Sequence, residues 1–260
     1  GAGHLMMQPT ADRPFHDKEW LRNHLDEERK EADLLAEVRE VVFGLQDGVT
    51  SILAVVTVVA AASNDTYTVL VSGIAATLAE MFSMGAGEYM SSRSQREIFD
   101  AQIASERAEV EERPGEAQAE LAFMFEREGL PEDAAKRISA EIARNPNVLL
   151  RTMVEKELGV TMEGGGSPLQ GALILAGAFF VAALVPLMPY FFLSVRSGLW
   201  VSIGLSAVVM FALGVWKSRL TKRSWLRSGL EILALVAGAA IAGSFFGSIL
   251  PGLLGVAGIR

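Results

Sequence analysis

The chain of 260 residues has no cysteine. Disulfides and thiolate metal sites are therefore excluded, and soft-metal chemistry can rest only on methionine and histidine. Histidine is nearly as scarce: His4, His16 and His24 all precede the first long apolar run. None stands in the Glu-x-x-His pairs that a ferritin-like di-iron site takes from facing helices. There is no Gly-x-x-x-x-Gly-Lys-[Ser/Thr] phosphate loop, which argues against a self-contained ATP-driven pump of that type. The apolar–polar alternation of a membrane barrel is missing. No nucleophile–base set suggests an enzyme, and nothing in the composition suggests a prosthetic group. Finally, the first three long apolar runs hold no lysine or arginine at depth.

What the chain does have is apolar length. Half of the residues are hydrophobic and the mean hydropathy is +0.31. The apolar residues gather in runs at 41–63, 67–91, 169–193, 198–216 and 229–250. A helix needs about 20 residues to cross a bilayer core. Five such runs predict an all-α polytopic membrane protein with five transmembrane helices and a cytoplasmic helical insert between spans two and three. The expected organisation is an N-terminal segment 1–40, spans one and two over 41–91, the insert over 92–166, and spans three to five over 167–260. The segment before span one is polar and charged, unlike a secretory signal, and its opening Gly1–Met6 reads as an expression scar.

The net charge of −8 is uneven. Between Ser92 and Gly166 there are 16 acids against 10 bases. Such a surface excludes nucleic acid as a partner and favours cations. Positive charge near span ends sets orientation. The 4–5 loop carries Lys217, Arg219, Lys222, Arg223 and Arg227, the 1–2 loop carries none, and the 3–4 loop has only Arg196. An N-terminus and an insert on the cytoplasmic side satisfy all of these segments, with Arg260 ending outside.

Residues 15–40 form an amphipathic pattern that leads into span one without a breaker, and Trp20 suits a helix lying at the membrane interface. Gly44-x-x-x-Gly48 in span one, Gly73, Gly85 and Gly87 in span two, and Gly243-x-x-x-Gly247 in span five are small residues of the kind that let helices approach. Pro186 and Pro189 are read as ending span three near the outer face. In the insert, span two is expected to run on to Pro114, followed by helices over 116–128, 131–144 and 147–158, with Gly164–Pro168 as a flexible joint. Leu121, Met124 and Phe125 make an apolar stripe for a small bundle.

Carboxylates at membrane depth carry the chemistry. Asp47 is the one charged side chain of span one, and each intramembrane charge costs several kcal/mol unless paired, hydrated or bound to a cation. In span two, Glu80, Met84 and Glu88 recur every four residues and so share one helix face. A structural ion pair is the plain alternative, but no cation is available at that depth. Metal or proton handling is the better reading. The insert adds Glu106, Glu109, Glu112, Glu116 and Glu120 at helical spacings, and Met153 with Glu157 at i, i+4. Like charges so placed destabilise a bare helix by about 0.2–0.5 kcal/mol per pair. Either a cation or interleaved arginines such as Arg107 and Arg113 must offset this; on spacing alone, a solvated charged face explains the run best. Oxygen donors with a thioether suit Fe(II) or Mn(II) better than Cu(I).

The stretches Arg39–Thr50 and Ser83–Tyr89, supported by Asn145-Pro146, Glu157–Gly159 and Pro186–Tyr190, resemble the vacuolar iron transporter family over roughly 38–250. The resemblance implies five spans, a homodimer with the path at its two-fold axis, metal-for-proton exchange and a cytoplasmic metal-binding domain between spans two and three. It implies that Asp47 and Met84 are translocation residues and Glu40 a cytoplasmic entrance acid. It also assigns Glu106, Glu109, Glu120, Met153 and Glu157 to the soluble site. This chain departs from the pattern in three places. Val154 stands where some relatives have a second methionine. Glu116 sits one residue from the family's glutamate position, here Ala117. Glu80 does not align with the span-two acid of some plant relatives.

The expected function is a proton-coupled exporter of Fe(II), with Mn(II) and other divalent metals as further substrates. The alternative is a membrane-anchored metal sensor or buffer that does not transport. Localisation would be the inner membrane in a bacterium and the vacuolar membrane in a eukaryote.

Overall fold

The structure is a computed structural model that describes residues 18–159, 167–221 and 224–253. His4, His16, the opening scar, the glycine joint at 164–166, Lys222, Arg223 and Arg260 lie outside the described residues. The elements are α1 (Lys18–Ala62), α2 (Thr66–Glu112), α3 (Pro114–Arg127), α4 (Glu132–Ala143), α5 (Pro146–Met153), α6 (Pro168–Leu187), α7 (Val195–Thr221) and α8 (Trp225–Leu253). A π turn, Val154–Leu158, continues α5, and a 3₁₀ turn, Met188–Phe191, continues α6. No strand occurs among the described residues. Five helices are long and apolar enough to cross a membrane, with candidate spans Glu37–Ala62, Thr66–Glu112, Pro168–Phe191, Val195–Arg219 and Trp225–Ile249.

Two of these helices overrun the bilayer. At 1.5 Å per residue, the 47 residues of α2 reach about 70 Å, more than twice the ~30 Å hydrocarbon core. The second half of α2 therefore stands outside the membrane as a stalk for the insert. Likewise, α1 is one unbroken helix of 45 residues. The amphipathic N-terminal segment thus prolongs span one along its axis, instead of lying flat at the interface. Trp20 there stacks on His24 at 5.0 Å. The expected domain boundaries at residues 40 and 91 both fall inside continuous helices.

Small residues place α1 at the centre, in contact with α2, α6, α7 and α8. A Cβ on Gly44 would meet the Leu175 carbonyl oxygen of α6 at 2.7 Å, and one on Gly48 would overlap the Phe179 carbonyl. Backbone cannot yield as a side-chain end can, so glycine is what permits this approach beside Asp47. On the other flank, a Cβ on Gly247 of α8 would meet the Val58 oxygen at 2.6 Å, which is the packing expected for span five. Around this axis Ile52, Leu53, Val56, Phe179, Leu187 and Met210 form the buried core.

Helix ends follow local chemistry. Asp65 caps α2 by accepting from the Tyr67 and Thr68 amides, at 3.3 and 2.9 Å, and from the Thr68 hydroxyl at 2.6 Å. These bonds hold its carboxyl below the usual range. Pro186 lies in the last turn of α6 and Pro189 in the 3₁₀ turn, so the two prolines end the span. The Ser202 hydroxyl of α7 donates to the Pro186 carbonyl at 2.8 Å.

The insert packs α3 and α5 against the α2 stalk, and α4 on α3 and α5. Its core is Val110, Ala117, Leu121, Leu149, Leu150, Met153 and Val154, with Met124 and Phe125 packed against it. Pro114 starts α3 after α2 ends, and Asn145 caps α5, accepting from the Asn147 amide at 3.1 Å. Gly159, with φ +66°, ends the π turn in the left-handed region that glycine reaches without strain.

Candidate metal-handling site

Three carboxylate groups follow one another along the α1–α2 face. The deepest is in the membrane. Asp47 is half-buried and accepts from the Ser51 hydroxyl one turn on, at 3.0 Å. Glu80 of α2 lies near enough to feel its charge. Glu80, Met84 and Glu88 are all half-buried, so the four-residue spacing does put them on one face. Asp47 and Glu80 lie in stretches, residues 41–63 and 67–91, that contain no lysine or arginine. Carboxylates at that depth are stabilised by a proton, water or a bound cation.

The second group lies at the insert-side mouth. Glu40 keeps only 13% of its side chain exposed and accepts from Arg39 through Nη2 at 2.7 Å and Nε at 3.1 Å. Arg39 also feels the charge of Glu88. Glu88 in turn accepts from the Ser92 hydroxyl at 2.5 Å. Glu37 of α1 accepts from Gln170 of α6 at 2.7 Å.

The third group lies in the insert. Glu106 is 8% exposed, and its Oε1 has no hydrogen-bond partner among the described residues. Burial pushes its carboxyl up to about 7, helped by the charges of Glu157, Glu109 and Glu120 and by a side-chain hydrogen bond with Glu157. Glu120 is also raised, by burial first and then by Glu109, Glu157 and Glu116. Carboxylate oxygens of Glu109, Glu116 and Glu120 lie within 4.8 Å of one another. Five of the expected acids therefore converge from α2, α3 and the π turn.

Glu116 joins this cluster although it is one residue from the family position. Ala117 is fully buried in the bundle core, so the glutamate occupies the neighbouring position on the polar side. The interleaved-arginine reading holds for one residue: Arg113 donates to Glu116 at 2.8 Å and lies 3.5 Å from Glu109. Met153 and Glu157 do not stack as an α-helical pair. The π turn begins between them and widens the repeat. Met153 is 0% exposed in the core, while Glu157 is exposed and faces Glu106.

Several partners were not anticipated. Ser51 and Ser92 could have been found, since each lies four residues after its acid. Gln170 is 133 residues from Glu37, with no local signal. Nor was there one for Lys156, which donates to both Glu128 oxygens at 2.7 Å and sits 4.6 Å over the Phe125 ring, tying the π turn to α3.

Five apolar spans, carboxylates within them and a helical bundle gathering further acids describe a polytopic helical membrane protein with a chain of cation-seeking groups. The chain belongs to the VIT family, whose sequence profile matches residues 38–248. Over 209 residues it is 29% identical to vacuolar iron transporter 1 of Oryza sativa subsp. japonica, covering 79% of this chain and 83% of the relative. Over 227 residues it is 29% identical to vacuolar iron transporter 1 of Eucalyptus grandis, covering 86% and 91%. The vacuolar iron transporter of Plasmodium falciparum is 30% identical over 229 residues, covering 84% and 81%.

Proposed function

We propose that this protein exports Fe(II), with Mn(II) and related divalent metals as further substrates, from the cytoplasm in exchange for protons. The observation that carries the reading is that Asp47 on α1 and Glu80, with Met84 on its face, on α2 are half-buried acids close enough to interact, in stretches 41–63 and 67–91 that hold no lysine or arginine. Family membership and relatives named as vacuolar iron transporters support the same substrate. In this scheme the insert collects metal through Glu106, Glu109, Glu116, Glu120 and Glu157, with Met153 as the thioether beside them. Glu40 and Glu88 guide it inward, and Asp47, Glu80 and Met84 relay it. Protons reaching the same oxygens on the far side displace it, because a proton and a cation compete for one set of lone pairs. The insert and N-terminus face the cytoplasm, on the strength of the basic 4–5 loop. The membrane is the inner membrane in a bacterium and the vacuolar membrane in a eukaryote.

The active form is a homodimer joined along α2. This helix buries only 17% of its apolar window within one chain, less than any other span, and leaves Phe82, Tyr67 and Leu78 outward. A partner there would also close off the half-exposed acid face.

A metal sensor or buffer needs the insert cluster alone and gives Asp47 and Glu80 no role. Proton coupling is tested in proteoliposomes with metal on the insert side. A pH gradient, acid on the opposite side, should speed Fe(II) entry several-fold, with protons moving the other way. Flux indifferent to the gradient would favour a channel.

A further inference from the structure

On the side of α1 away from the carboxylates, the bundle has a groove of about 480 Å³ between α1, α6 and α7. That volume is in the range of small-molecule pockets, about 300–1,000 Å³. Val41, Leu45 and Val49 line it from α1, Val181 from α6, and Leu213 and Trp216 from α7. Every lining residue is apolar. Leu45 and Val49 stand two residues either side of Asp47, about 200° around the helix, so the groove and the metal face are opposite faces of α1. The distance from Val41 to Val49 is about 12 Å along the axis, parallel to the direction in which lipid tails run. The spanning helices place the groove at acyl-chain depth.

Its insert-side end has a charged neighbour. Ala212 and Trp216 line the groove, and Arg219 follows at i+7 and i+3, on the same face and exposed. Lys222 and Arg223 come next in the sequence. Of the acids on α1 near this end, Glu40 is paired with Arg39 at 2.7 Å, and Glu37, one turn before Val41 on the same face, accepts from Gln170 of α6. We propose that the groove holds one acyl chain of an anionic phospholipid, with its phosphodiester bound by Arg219. A guanidinium suits this role, since it donates two parallel hydrogen bonds to phosphate oxygens. A tail seated there would brace α1 against α6 and α7 behind Asp47.

The test is native mass spectrometry of the full chain, purified in detergent and delipidated, with phosphatidylglycerol or phosphatidylcholine of the same chains added back. The wild type should retain one phosphatidylglycerol per chain, preferred about fivefold over phosphatidylcholine. Arg219→Gln should lose the preference and keep the binding of tails. Ala212→Trp, which fills the groove from an exposed position, should lose the lipid while its thermal unfolding stays cooperative. Val181→Trp fills it from α6 and serves if the first variant does not fold. Equal binding of both lipids by the wild type would overturn the proposal. So would unchanged phosphatidylglycerol binding in the filled variants. Loss of oligomer mass in those variants, with no lipid held by the wild type, would make the groove a protein–protein seam and also overturn it.

Discussion

Asp47→Asn should reduce Fe(II) flux in proteoliposomes by more than about a hundredfold, beyond the 10–100-fold that follows loss of an outer partner of a metal ligand. The substitution keeps the size of the side chain and leaves an amide oxygen for the Ser51 hydroxyl, which now lies 3.0 Å from the carboxylate. The glycines on either side of position 47 still pack on α6. What disappears is the negative charge. The folded protein should therefore be as stable as the wild type or more so, because an uncompensated charge is removed from the membrane interior. A thermal melt and a size-exclusion profile matching the wild type separate this from misfolding. An Asp47→Asn protein that transports at the wild-type rate would show that metal passes elsewhere.

The second large effect concerns the insert. Glu106 titrates near 7, far above the usual glutamate value of about 4.3. The sign follows from the raised value. Below the unfolded value the protonated side chain stabilises the metal-free insert in full, and this contribution is lost as pH rises through about 7. Metal binding has the opposite dependence, since the ionised form is the ligand. Affinity measured by calorimetry on the full-length protein should fall as pH drops through 7, well before ordinary carboxylates titrate. The melting shift produced by Mn(II) should be larger at pH 8 than at pH 6. Replacing Glu106 and Glu109 together by Gln should remove most of this binding and its pH dependence. The helices should remain, because Gln and Glu have similar helix propensity. Transport should slow without stopping, as the membrane relay is intact. If the double variant binds metal like its parent, the glutamates are only a solvated face.

The spans were legible because apolar length and the near absence of charge leave little else for such segments to be. The face shared by Glu80, Met84 and Glu88 followed from helical spacing alone. So did the end of α2 at Pro114, since proline cannot continue a hydrogen-bonded helix. Helix continuity was less visible. Nothing in a one-dimensional pattern tells an interfacial helix from the prolongation of a span when no breaker separates them, and α1 turned out to be continuous. Register failed locally at Met153 and Glu157, where a π turn that no residue announces replaced the α-helical repeat. Long-range partners such as Gln170 with Glu37, and Lys156 with Glu128 and Phe125, depend on packing between segments distant in the chain. Conversely, Glu116 looked misplaced by one residue until burial of Ala117 showed which side of α3 faces the cluster.

The central claim is that metal crosses the membrane. It is tested most directly by loading Fe(II) outside sealed proteoliposomes and measuring the metal captured, before and after the vesicles are opened with detergent. Transport predicts capture well above the amount of protein present, filling the vesicle volume and lost on opening. Capture that stays stoichiometric with protein, and is the same whether or not the vesicles are sealed, would contradict it and leave a metal-binding protein that does not transport.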